Sequence, residues 1–95
     1  DATISLDRAI AMQQWTVASL LALDPASAKR VRDAAAAAYD LADKEARDAA
    51  VAGDLVHAQR VATAAANAAE VGGRSAEHRA LLAVMAAAVE RQGQP

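Results

Sequence analysis

The chain has no cysteine and no phenylalanine, a single tryptophan, a single tyrosine, and only four glycines and two prolines among its 95 residues. Without cysteine there are no disulfide staples, no thiolate metal sites and no thiol nucleophile. Aromatic and β-branched strand formers are too sparse to line a sheet, which leaves an all-α domain as the expected fold. Scarce glycine and proline also mean few chain reversals. Basic residues show no excess either, because 10 Lys and Arg stand against 12 Asp and Glu for a formal net charge of −2. The clustered positive charge that a phosphate backbone requires is missing, so no nucleic-acid partner is expected. Apolar stretches are short and broken by charge, so no membrane span is expected, and neither end reads as a signal peptide.

What the chain has in abundance is alanine, 30 of the 95 residues, against 22 larger apolar side chains. Alanine is the best helix former but a poor core filler. One domain of residues 1–95 with a thin core is expected, and at this size a partner or a second copy would add stability.

The punctuation predicts four helices. Ser5, or alternatively Thr3, caps a first helix running to about Leu23. Asp24-Pro25 then pairs a capping acceptor with a proline at the first helical position, opening a long second helix that stops at Gly53. Asp54 caps a third helix ending at Gly72-Gly73, and Ser75 caps a fourth that fades at Gly93. Turns this short make neighbours antiparallel, giving an up-down four-helix bundle whose second helix, about 42 Å long, outreaches the others. Within that helix, Asp40–Lys44 and Asp43–Arg47 have the favourable i,i+4 order of a solvated face. Its inward stripe is read through Val31, Ala35, Ala38 and Leu41, with large side chains of the first and fourth helices nesting on alanine surfaces.

Taken as one continuous coil, the first helix has two apolar faces. Leu6, Ile10, Val17, Leu20 and Leu21 form the expected core stripe. Ile4, Met12, Trp15 and Leu23 fall roughly 120–220° away, where a surface helix should be polar. Either the helix sits centrally and both stripes are covered, or Ile4, Met12, Trp15 and Leu23 form a docking patch for a protein partner or a second copy. Gln13 and Gln14, beside the inner stripe, have hydrogen-bonding side chains suited to a helix contact.

Chemistry is harder to find. His57 and His78 each stand three residues after an expected cap, Asp54 and Ser75, where a neutral local role suffices. Both also share a stripe with apolar residues, which opens an alternative: a bundle holding haem or a flat hydrophobic ligand in an alanine-lined cavity, with His57 or His78 as the single axial ligand. As a pair they are offset by roughly 15 Å along an antiparallel hairpin, too far for bis-histidine ligation. The carboxylates of the second helix lack the Glu-x-x-His partners of a di-metal bundle, and no Gly-x-Ser-x-Gly elbow occurs. Gly72-Gly73 before Arg74 and Ser75 is better read as a helix stop than as an anion cradle. Tyr39 and Asp43 have the Tyr-x-x-x-Asp spacing found in small secreted helical hairpins, but Trp15 is followed by Thr16 and Val17 instead of completing a Trp-x-Gly turn, and no family follows. The sequence therefore points to a non-enzymatic protein-interaction or assembly module, with no cofactor and no metal.

Overall fold

The computed structural model describes residues 5–93, and every regular element among them is helical. Six helices replace the four expected: α1 (Leu6–Ala11), α2 (Trp15–Leu21), α3 (Pro25–Val51), α4 (Leu55–Ala64), α5 (Ala66–Gly72) and α6 (Ser75–Gln92). The expected first helix is two pieces, and so is the third.

Local chemistry accounts for most boundaries. The Ser5 hydroxyl accepts from the Arg8 amide at 3.2 Å and caps α1. Asp24 caps α3 through the Ser27 amide at 2.8 Å, with Pro25 at the first helical position where its missing N–H leaves nothing unsatisfied. Gly53 takes φ 88° and reverses the chain, and Asp54 then accepts from the His57 amide at 3.1 Å to start α4. Gly73, at φ 73°, closes α5. Ser75, expected as a cap, is instead the first residue of α6, and Arg74 holds the cap position without a capping side chain. His78 consequently lies one residue deeper in its helix than His57 does in α4.

The break after α1 has a specific cause. Gln13 adopts φ 57°, a left-handed conformation that a side-chain-bearing residue takes at a cost. Around it the Gln14 amide donates to the Ala9 carbonyl at 2.9 Å and the Gln13 amide to Ile10 at 3.0 Å, the paired bonds that close a helix end. The chain thereby turns and delivers Trp15 inward, to 5% exposure among alanines of α3, α4 and α5. The Gln14 Oε1, expected at a helix contact, is buried without a hydrogen-bond partner. A milder break follows α4, where the Ala65 amide reaches both the Val61 and Ala62 carbonyls, at 3.1 and 3.3 Å, and tightens the turn.

α4 and α5 run back along α3, α6 packs on α4, α5 and α3, and the α1–α2 pair covers the early part of α3 and α5. The result is a slab of 56 × 26 × 15 Å. Its interior is alanine-rich: ten of the 15 buried apolar residues are alanine, and the bulk comes from Tyr39, Leu81 and Val31, all fully buried, with Trp15 and Met85. Small side chains let backbones close in. A Cβ added to Gly72 would stand 2.5 Å from the Ala36 nitrogen, so α5 crosses α3 almost backbone to backbone.

The break at Gln13 turns α2 away from the face expected of one continuous helix, and in the unbroken α3 and α6 the inward face also differs from the expected one. Leu20, read as core, is 74% exposed, and Leu41 of the expected inward stripe of α3 is also exposed while Tyr39 takes the interior. Leu81 and Met85 nest as expected, but Leu82, Val84 and Val89 of α6 remain exposed. On the outer side of α3, Arg47 pairs with Asp43 at 2.6 Å as expected, whereas Lys44 reaches forward to Asp48 at 2.6 Å and leaves Asp40 to Arg74.

Candidate functional site

The predicted docking patch does not assemble as one helix face. Ile4 lies outside the described residues. Trp15 is buried, Met12 sits in the turn at 51% exposure, and Leu23 stands in the α2–α3 connection at 91% exposure. The physical reason is the left-handed Gln13, which separates the coil into two pieces with independent rotations about their axes. Of the two sequence readings of that stripe, covering by the rest of the chain is the one that describes Trp15.

The histidines occupy separate settings. His57 is half-exposed, its Nε2 3.3 Å from the Glu45 Oε1, on the wall of an open cleft of 430 Å³ shared with Leu41, Lys44, Asp48 and Ala49. His78 is half-buried: its Nε2 donates to the Ala62 carbonyl at 2.9 Å, and its ring meets Tyr39 edge-on with centroids 5.8 Å apart. That contact lies where α4 gives way to α5, and it assigns His78 a clear local task. Ligation of haem iron through His78 Nε2 would require giving up the Ala62 bond. Among the described residues, no group of three or more His, Asp or Glu side chains converges to hold a metal ion.

A concavity of about 520 Å³ lies between α3 and α6, lined by Tyr39 and the charged side chains of Asp40, Asp43, Lys44, Arg47, Asp48 and Glu77. Tyr39 donates its hydroxyl to Asp43 at 3.0 Å, and Asp43 in turn accepts from the Arg47 Nε at 2.6 Å. Burial, then the hydrogen bond to Asp43 and that carboxylate's charge, hold the Tyr39 hydroxyl well above its ordinary value of 10.0. A tyrosine so placed stays a donor and anchors α3 against its own carboxylate. Beside it, the Arg74 guanidinium forks onto Asp40 through Nε at 3.0 Å and Nη2 at 3.2 Å, tying the α5–α6 turn to α3. These groups satisfy one another.

The surface that remains unsatisfied is apolar. Leu20, Leu23, Leu41, Val51 and Val56 are strongly exposed, Val51 at 90%. Val51 also lines a 340 Å³ groove with Ala50, Val84 and Ala88, rimmed by Arg47 and Arg91. On the far side of α6, Arg79, Ala83, Ala86 and Glu90 are all exposed. Sequence reading did not single out this face of α6. The signal available was the four-three-four spacing of Arg79, Ala83, Ala86 and Glu90, hidden because alanine counts equally as helix former and as contact residue. No described helix is long and apolar enough to cross a membrane. No family model, curated protein or solved structure matches the chain.

Proposed function

We propose that the chain is a non-enzymatic helical module for protein–protein contact or assembly, an up-down bundle whose exposed apolar side chains serve as contact surface. The observation that carries this reading is the exposure of large aliphatic groups, Leu41, Val51, Val56 and Leu82 among them, around a slab only 15 Å thick. A slab so thin has little interior in which to store them, and covering them with a partner removes apolar area from water at about 25 cal/mol per Å², before association costs. The polar groups support the same reading, because Tyr39, Asp43 and Arg47 are engaged with one another along α3, while Arg74 and His78 are engaged in holding helices together.

Sedimentation equilibrium over a wide concentration range tests this. The wild-type chain is expected to gain mass with concentration, and a variant carrying Leu41→Gln, Val51→Thr and Leu82→Gln to lose that behaviour while keeping its helical circular dichroism. A wild-type monomer that the triple variant matches at every concentration would overturn the proposal.

A further inference from the structure

At about 100° per residue, Arg79, Ala83, Ala86 and Glu90 fall within an arc of roughly 60° on α6. The arc points away from the buried Leu81 and Met85, and all four residues are exposed. Opposite charges stand at its two ends, with nothing larger than methyl groups between them. Among the described residues, neither Arg79 nor Glu90 forms an ion pair. Leu82 and Val89, both exposed, border one side of this stripe.

We infer that a second copy of the chain docks here, α6 against α6, antiparallel about a two-fold axis. The inference rests on the assembly reading and names its partner and its surface. With the axis level with the Val84–Met85 peptide, Arg79 of each copy stands opposite Glu90 of the other, and Ala83 opposite Ala86. The same operation puts Leu82 of one copy and Val89 of the other on one side of the seam, about 3 Å apart along the helix axis. Each exposed aliphatic group thus gains a counterpart. Alanine at the seam permits helix axes to approach to about 8 Å. A parallel, in-register pairing would set Arg79 on Arg79 and Glu90 on Glu90, so charge selects the antiparallel arrangement. A uniformly acidic or basic partner would match only one end of the stripe. The reversed pattern it requires is supplied by the same face turned end for end, the self-complementarity of an isologous contact. One helix pair falls below the roughly 1,200 Å² of stable complexes, so the dimer is weak, with a dissociation constant in the micromolar to millimolar range.

The test uses the full chain in sedimentation equilibrium. Arg79→Glu alone and Glu90→Arg alone each place like charges opposite one another, and each is expected to weaken dimerisation at least about tenfold. The double exchange R79E/E90R restores it, and an equimolar mixture of the two single variants forms a heterodimer of wild-type strength. Circular dichroism of each variant guards against misfolding, which these exposed positions on α6 do not provoke. If wild-type chains associate but the single exchanges leave that association unchanged, the α6 pairing is wrong and the assembly reading stands. Weakening without rescue in the mixture overturns the antiparallel arrangement. A wild-type chain that stays monomeric into the millimolar range removes the self-docking face altogether.

Discussion

Gly72 and Ala36 mark the point where α5 and α3 come closest. A Cβ on Gly72 would meet Ala36 backbone atoms at 2.5 Å (nitrogen) and 2.8 Å (Cα), and backbone cannot rotate out of the way as a side chain can. Gly72→Ala is therefore expected to destabilise the fold by about 2–3 kcal/mol, despite the better helix propensity of alanine. Gly73→Ala meets no neighbour within 4 Å, but forces alanine to φ 73°, and should cost about 1 kcal/mol. Denaturant midpoints of the two variants check the order. Equal losses would show that the crossing is no tighter than an ordinary helix contact.

Gln13 supplies the opposite sign. Its left-handed φ of 57° is maintained by the helix-closing bonds of Gln14 and Gln13 to Ala9 and Ile10. Glycine relieves that strain, so Gln13→Gly should stabilise by up to about 1 kcal/mol, while Gln13→Val should destabilise by more than that. Chemical denaturation of the pair reads the difference. A destabilising glycine would mean that the Gln13 side chain makes a contact worth more than the strain.

Tyr39 makes alkaline stability predictable. Its hydroxyl stays protonated in the folded chain above the ordinary value of 10.0, chiefly through burial, whereas in the unfolded chain it ionises near that value. Above pH 10 the unfolded state binds fewer protons than the folded one. Stability must then fall with rising pH, by about 1.4 kcal/mol per unit at the steepest. Tyr39→Phe removes its share of that slope, leaving the smaller contribution of the exposed Lys44, which Asp48 holds above its ordinary value, and, by removing the bond to Asp43, costs about 1 kcal/mol at neutral pH. Urea unfolding at pH 7 and at pH 10.5 gives both numbers, and a variant with the wild-type slope would contradict the assignment.

Trp15 offers a direct optical check. At 5% exposure among alanines its emission should be blue-shifted in the native chain and shift to the red on unfolding. Trp15→Ala should cost about 3–5 kcal/mol, since the surrounding alanines have no rotamers with which to fill the space. A native spectrum already at the solvent-exposed wavelength would place Trp15 outside.

Much of this architecture could be read from residues alone. Helicity, the Asp24-Pro25 start of α3, the Gly53-Asp54 reversal and the Gly73 stop each rest on a side chain whose chemistry permits little else. The two breaks could not. At Gln13 the left-handed position carries neither glycine nor asparagine, and at Ala65 the chain stays in right-handed space, φ −80°, so neither leaves a compositional mark. Each unseen break shifts the rotation of the helix it interrupts. That is how Trp15, on a stripe that the sequence left either covered or open for docking, came into the core, and why Leu20 went the other way. His78 faces inward, as its place on the Leu81 and Met85 stripe allows, but its partners, Tyr39 and the Ala62 carbonyl, lie on other helices and leave no mark in local sequence.

An interior built from methyl groups also limits which sequences this chain can drift towards. Where cores hold leucine or phenylalanine, an enlarged neighbour is accommodated by a change of rotamer. Around Ala35, Ala46, Ala58 and Ala62, fully enclosed and without a single rotatable side-chain bond to heavy atoms, any added carbon must push a whole helix outward. Variation is thereby steered to the outside of the slab, where residues can change and recruit new neighbours while the scaffold beneath them stays nearly invariant.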